Sequence, residues 1–426
     1  MILDDIRKGI DEHLERRLQW LHAAARCAEC GSEGEPGSVS TGRDRNIADL
    51  ALLLTKQSRA AAFGLSARLQ SDRPALEREF APDLGLVTGI RAGLSDPHFG
   101  GQTVVRLHFQ AGLTLYYKPR PVGLLAAWNH AARHVVEPLL GKMPTPRVMD
   151  CGAYGWAEAV QRSSGYDSPA RHARAGAMLC LAYVLGAVDL HTENFVDHPA
   201  APVLVDAETV LWAGVERAPS VDSERSAAFD LLFRDSVVRT GMLPRWQRTI
   251  RGAYLSPGIM SGRAAPFEPG AAYEADLLRG FTAVYETLSK PAAAEVLLAA
   301  FEKVAPGSVR VLIRPTYVYQ RLLDAGIRVY AARGPGARSA MLQRALGRGA
   351  IKLGAAGQAI LDLELEALER ADIPRFSRTQ LERAGLRFEP VIGMDYVESR
   401  LEGLSREDLA RQVKLIEASL ALVSAK

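Results

Sequence analysis

The sequence predicts an α+β fold in which a small β-rich lobe is followed by a larger helical lobe and preceded by a helical segment. Three observations carry that prediction. Residues 3–28 place Leu3, Ile6, Ile10, Leu14, Leu18 and Leu21 at three-to-four spacing, the pattern of an amphipathic helix. Two β-rich runs, TVVRLHF at 103–109 and LTLYYKP at 113–119, are joined by QAG and read as a hairpin. From residue 167 onward helix-like stretches dominate, near 167–188, 270–304, 337–371 and 404–424.

The elements follow in order. EGEPGSVSTGRDR at 33–45 is a loop by its Gly, Pro and Ser content, and 46–64 reads as a second helix. Residues 1–85 therefore form a helical N-terminal region. GLSDPHFGGQ is a Gly-rich turn ahead of the hairpin, and YGWAEAV at 154–160 adds a further β-like piece, giving a β-rich lobe over 86–165. The rest, 166–426, is the helical lobe, interrupted by one short β element, VLVDAE. A chain of 426 residues exceeds what one core usually serves. The cleft of a bilobal arrangement is the natural ligand site.

Composition excludes several classes. Hydrophobic residues at 48% and charged residues at 24% are ordinary for a globular protein. A formal charge of +3 gives no electrostatic case for nucleic acid or a membrane surface. The longest apolar run, AGAMLCLAYVLGAV at 175–188, is too short to span a bilayer and reads as a buried helix. The opening segment is charged from residue 4, unlike a signal peptide, and four cysteines without an export signal suit a cytoplasmic protein. Cys27 and Cys30 form one C-x-x-C; without two more ligands nearby they are expected to be unpaired thiols on a helix.

The chemistry concentrates in two clusters, AVDLHTENF at 187–195 and VLVDAETV at 203–210. Asp189 and Asn194 are five residues apart, as are the Asp and Asn of the protein-kinase catalytic loop. There the Asp accepts the substrate hydroxyl proton and the Asn holds Mg²⁺. Asp206, with Glu208 beyond it, stands where a kinase places its metal-binding Asp. Lys118 stands at the end of a predicted strand, and kinases carry on a strand the lysine that contacts nucleotide phosphates. Gly100 and Gly101 are candidates to offer backbone amides to those phosphates, and Glu158 is a candidate partner for Lys118. Each item alone has a plain reading as a cap, a solvated strand end or a turn. Together, in this order and bracketed by apolar runs, they point to phosphoryl transfer, because buried charges are costly unless paired or metal-bound.

With these residues in view, the chain resembles the dehydratase portion of class II lanthipeptide synthetases, the LanM type. The stretches that carry the resemblance are SDPHFGGQTVVRLHF, LYYKPRPV, YGWAEAV, GAVDLHTENF, PVLVDAETVL, DSVVRTGMLP, VRVLIRPTYVY, ADIPRF and LSREDLARQVKLIEASL, in family order from about residue 80. The resemblance implies a bilobal lipid-kinase-like fold and a two-step reaction on a precursor peptide carrying a leader. ATP phosphorylates Ser or Thr, then phosphate is eliminated to leave dehydroalanine or dehydrobutyrine. It implies Asp189 as the catalytic Asp with His191 beside it, Asn194 and Asp206 on Mg²⁺ supported by Glu208, and Lys118 on the phosphates. Asp96 and His98 match the family pattern, while Arg310 and Thr316 match the Arg and Thr used for elimination; Arg314 is near enough in sequence to share that work. No base for the α-proton is named. A full synthetase continues into a zinc-dependent cyclase; this sequence ends at LVSAK, so cyclisation in cis is not expected and a separate cyclase or other tailoring enzyme is a further partner. The helical segment 1–85 is the candidate leader-holding region.

Two rival readings remain. One is a kinase that stops at the phosphate, on a peptide or a small molecule; a stable phosphate product would favour it. The other is a non-catalytic kinase-like domain that binds a precursor peptide. The intact set Lys118, Asp189, Asn194 and Asp206 speaks against it, and nucleotide binding with Mg²⁺ would test it.

Overall fold

The structure, a computed structural model, describes residues 2–26, 39–163, 168–211, 235–249, 252–256, 259, 271–304, 306–350, 354–385 and 393–424. The Cys27/Cys30 pair lies outside them. The principal elements in chain order begin with α1 (Ile2–Arg26), α2 (Val39–Glu79), β1 (Val87–Arg91), β2 (Val105–Phe109) and β3 (Thr114–Lys118). Next come α3 (Gly123–Ala131), β4 (Val148–Asp150), β5 (Gly155–Glu158), α4 (Pro169–Val184), β6 (Phe195–Val196), β7 (Val203–Leu204), β8 (Arg245–Thr249) and β9 (Gly252–Ser256). The helices α5 (Ala271–Leu288), α6 (Pro291–Glu302), α7 (Thr316–Ala350), α8 (Gly354–Glu369), α9 (Met394–Glu402) and α10 (Arg406–Ser424) complete the chain. The fold is α+β. Among the described residues no helix is long and apolar enough to cross a membrane.

Several helices differ from expectation. α2 begins inside the expected loop at 33–45 and runs past residue 64 to Glu79. Its buried Leu50, Leu54, Leu65, Leu69 and Leu76 keep one apolar face throughout, so the helical pattern continues where the sequence reading ended it. The stretch 270–304 is two helices, because Pro291 sits at the start of α6 and cannot continue α5. The expected helix at 337–371 is divided between the end of α7 and α8, and α7 itself breaks at Gly334 (φ +79°), followed by Pro335.

The chain divides into two compact units that cut across the expected boundaries at 85 and 165. The first comprises residues 1–120, 153–159 and 312–387, so the helical N-terminal region, the hairpin and α7–α8 belong together. Its strands β1, β2, β3 and β5 lie side by side, each antiparallel to its neighbour. The β2–β3 turn uses Gly112 at φ +81°, a left-handed position that glycine adopts without strain. Asp72 of α2 accepts the Tyr154 hydroxyl (3.0 Å) and the Trp156 indole N–H (2.8 Å), fixing α2 beneath β5. α7 joins this unit through a core of Leu21, Leu50, Leu54 and Ile327 and through a Trp20 Nε1–Asp324 hydrogen bond of 2.9 Å.

The second unit comprises 121–152, 160–311 and 388–426. Its core is centred on α4 and α5, with Leu179, Leu181, Val184, Phe281 and Val284 fully buried. The apolar run at 175–188 is thus core, as its length implied. The two helices meet backbone to backbone. A Cβ on Gly176 would lie 1.9 Å from the Leu277 carbonyl oxygen, and one on Gly280 would lie 1.7 Å from that of Ala173. Glycine normally weakens a helix interior; here only glycine permits the approach. Gly280→Ala should therefore destabilise the protein by about 3 kcal/mol through overpacking, read as a lower urea midpoint, although alanine is the better helix former.

Candidate functional site

In the second unit, the apolar helix α4 ends near Leu185, and the chain turns into 187–195 along the edge of the core. There it is zipped to 205–211. Val188 N donates to Thr209 O (3.3 Å), Leu211 N to Leu185 O (3.0 Å) and Val205 N to Asn194 O (2.8 Å). The two-stranded β6–β7 ladder pairs Phe195 with Leu204 and Val196 with Val203. Both polar clusters therefore flank the open end of a short hairpin, where Asn194 O meets Val205 N just outside the ladder and Asp206 follows Val205, although Asn194 and Asp206 are twelve residues apart in sequence. Asp189 has φ +57°, a left-handed conformation that costs a non-glycine residue energy but that Asp tolerates better than most. Its carbonyl accepts from His191 N (2.9 Å) and from the Asn194 side-chain amide (2.8 Å). Asn194 thereby holds the loop and leaves its own side-chain oxygen for another partner. His191 is exposed; its Nδ1 accepts from Glu193 N at 3.3 Å and caps the turn at 192–194.

Arg310 is brought to this cluster from a distant part of the chain. Its backbone N donates to Glu208 O at 2.7 Å, and its guanidinium forms an ion pair with the Glu208 carboxylate. Glu208, expected beside Asp206 as metal support, is thus the partner of the expected elimination arginine. Burial raises the pKa of Asp189; the positive charges of His191, Arg310 and Arg245 oppose that rise, and the Glu208 charge adds to it. Arg245, at the start of β8, went unnoticed in the sequence, where its signal was only its position just after GMLP.

The first unit holds Lys118, Glu158, Asp96 and His98. Lys118 ends β3 and is buried, with 7% of its surface exposed. Its ladder partner is Gly155, whereas Glu158 lies opposite Leu115, three pairs along. Side chains alternate faces along a strand, so Lys118 and Glu158 project from opposite faces of the sheet. The expected pairing of Glu158 with Lys118 is overturned by that register.

The Gly-rich turn is also corrected. Gly100 and Gly101, at φ +84° and +78°, donate their amides to the two carboxylate oxygens of Asp372 at 2.6 and 2.9 Å. A carboxylate of the chain itself therefore occupies the place expected for nucleotide phosphate. The His98 Nδ1 lies 2.6 Å from Ile373 O, Ile373 N donates to Pro97 O, and the Asp96 carbonyl accepts from the Ser95 hydroxyl. Arg17 and Gln57 bind the neighbouring carbonyls of Ala371 and Arg370. His98 thus fastens the turn to the ADIPRF stretch, and helices α1 and α2 brace it.

Thr316 opens helix α7 in the first unit. Arg314, a candidate to share work with Arg310, is committed elsewhere. Its guanidinium makes a two-pronged contact with Glu364 (2.7 and 3.2 Å) and binds Leu346 O at 3.0 Å. Glu364 has no exposed surface and also accepts from the Tyr319 hydroxyl. Removing one member of a buried pair leaves the other charge uncompensated. Glu364→Gln should accordingly cost about 3 kcal/mol of stability in a urea titration, with no direct effect on chemistry at Asp189.

Among the described residues no cluster of three or more His, Cys, Asp or Glu could hold a metal ion. Magnesium needs less, since it is commonly bound by one or two protein carboxylates together with phosphate and water. The side-chain oxygen of Asn194 and the carboxylate of Asp206 fit that demand. One oxygen of the Glu208 carboxylate is engaged by Arg310.

The chain matches the family described as "Domain of unknown function (DUF4135)" over residues 47–268 and 266–379, and it belongs to that family, whose members are related to lanthipeptide synthetases. A lacticin 481/lactococcin biosynthesis protein of Lactococcus lactis subsp. lactis is 31% identical over 99 residues. That match spans 22% of this chain and 11% of the relative.

Proposed function

We propose that the chain acts in lanthipeptide biosynthesis as a dehydratase of Ser and Thr in a ribosomally made precursor peptide bound through its leader, on a lipid-kinase-like scaffold. The observation that carries this reading is the Asp189 loop, held left-handed by Asn194, with Asp206 beside it on the hairpin and Arg310 brought in from far along the chain. In the first step Asp189 accepts the proton of the substrate hydroxyl, whose oxygen attacks the γ-phosphorus of ATP, and ADP leaves. Lys118 neutralises phosphate charge. Asn194 and Asp206 would hold Mg²⁺, which supplies further neutralisation when bound. In the second step a base takes the α-proton, the Cα–H electrons form the Cα=Cβ double bond, and the Cβ–O bond breaks with its electron pair leaving on phosphate. Arg310 stabilises the departing phosphate, and Thr316 donates a hydrogen bond to it. A positioned cation matters most where charge develops.

The test is intact mass of a candidate precursor peptide incubated with the protein, ATP and Mg²⁺. A loss of about 18 Da per site means both steps occur. A gain of about 80 Da without later loss means phosphoryl transfer alone, and overturns the dehydratase reading in favour of a kinase. Unchanged peptide that nevertheless binds would favour a non-catalytic peptide-binding domain.

A further inference from the structure

Asp189 occupies a backbone conformation costing roughly 1–2 kcal/mol, so its surroundings must hold it there. The segment 235–244 supplies part of that hold. Leu190 N donates to Thr240 O at 2.9 Å. Gly241, at φ +85°, packs so closely that a Cβ would lie 3.1 Å from Leu190 N and 3.5 Å from Asp189 Cα.

That segment is in turn fastened at three points by the C-terminal helices. Arg400 of α9 pairs with Asp235 at 3.0 Å, Gln412 of α10 accepts from Val237 N at 2.9 Å, and Ser419 of α10 donates to Pro244 O. Gln412 is the middle fastening and has no exposed surface. Its Nε2 donates to Asp408 Oδ1 at 2.9 Å. Asp408 Oδ2 meanwhile takes the hydroxyls of Tyr183 (2.8 Å) on α4 and Tyr285 (2.7 Å) on α5. Because the carboxylate claims the amide nitrogen, the amide oxygen must face Val237. From Val237 the path continues through the Thr240 hydroxyl, which donates to Val237 O at 2.8 Å, to the Thr240 carbonyl that holds Leu190.

We propose that Gln412 is a positioning residue for phosphoryl transfer, setting the place of Asp189 through Val237 and Thr240 without touching substrate. The proposal rests on the reading of Asp189 as the catalytic aspartate. Gln412→Met keeps the side chain's length and removes all three of its hydrogen bonds, to Val237 N, to Asp408 and to Asp235 O (3.5 Å). In the full chain it should speed amide hydrogen exchange at Leu190 about tenfold or more, and lower kcat for phosphopeptide formation about tenfold or more, with KM for ATP and peptide unchanged. The reversed pair Gln412→Glu with Asp408→Asn again supplies an acceptor for Val237 N and a donor between the two side chains, and should restore both readings. Exchange at Leu190 that does not change in Gln412→Met, or a loss confined to KM, overturns the proposal. If the wild-type chain forms no phosphopeptide, the dehydratase reading fails, and the exchange measurement alone decides whether Gln412 holds the loop.

Discussion

Asp189→Asn is expected to reduce phosphorylation of the precursor peptide about a thousandfold, the range for loss of a positioned general base, while leaving the protein at least as stable as the wild type. The stability half follows from the pKa direction. Burial raises the Asp189 pKa above its ordinary value, so the native state favours the protonated carboxyl. The stabilising effect of that proton is present below the unfolded-chain pKa and is lost as pH rises through the higher folded value. At neutral pH the native state therefore carries the cost of a buried charge, which Asn removes. Asn also tolerates the left-handed backbone. Urea unfolding should show the variant equal to or above the wild type at neutral pH, with any advantage shrinking as pH falls into the ordinary carboxylate range. A phosphorylation rate that survives, measured by intact mass, would sink the assignment. An inactive variant that is also unfolded would contradict the stability argument.

Arg310→Met should let phosphopeptide accumulate, with elimination slowed about a hundredfold, the scale for losing one group that stabilises developing charge. The structure adds a second effect. Loss of the guanidinium leaves the Glu208 carboxylate without its ion pair, close enough to influence Asp189. Both changes push the Asp189 pKa further up, so the acid limb of phosphorylation should move to higher pH. Combining Arg310→Met with Glu208→Gln should return that limb toward its wild-type position without restoring elimination. Peptide left unmodified at every pH would place Arg310 in the first step, and fully dehydrated peptide would remove it from the second.

What could be read in the sequence was local. The β2–β3 hairpin, the buried helix at 175–188 and the spacing of Asp189, Asn194 and Asp206 each depend on neighbours within a short span. The missed features depend on partners far along the chain. Glu208 and Arg310 are 102 residues apart, and Gly100 and Asp372 are 272 apart. No periodicity signals that a carboxylate will return to a glycine turn at that distance. For Lys118 and Glu158 the deciding quantity is strand register, which no local pattern shows and which alone sets the face each side chain takes. The helix break at Pro291 carries a turn signal inside the apolar pattern of 270–304, whereas Gly334–Pro335 lies ahead of the helix expected at 337–371 and breaks a helix that starts earlier, at Thr316.

The Asp372 clasp bears on when the SDPHFGG turn acquires its shape. A glycine turn that binds phosphate through free amides stays pliable until its ligand arrives, and part of the binding energy goes into ordering it. Here a carboxylate of the chain itself fills that place, and Arg17 and Gln57 hold the carbonyls around it. The turn is accordingly preorganised rather than induced, and a nucleotide meeting it would find a finished surface and not a glove to be closed.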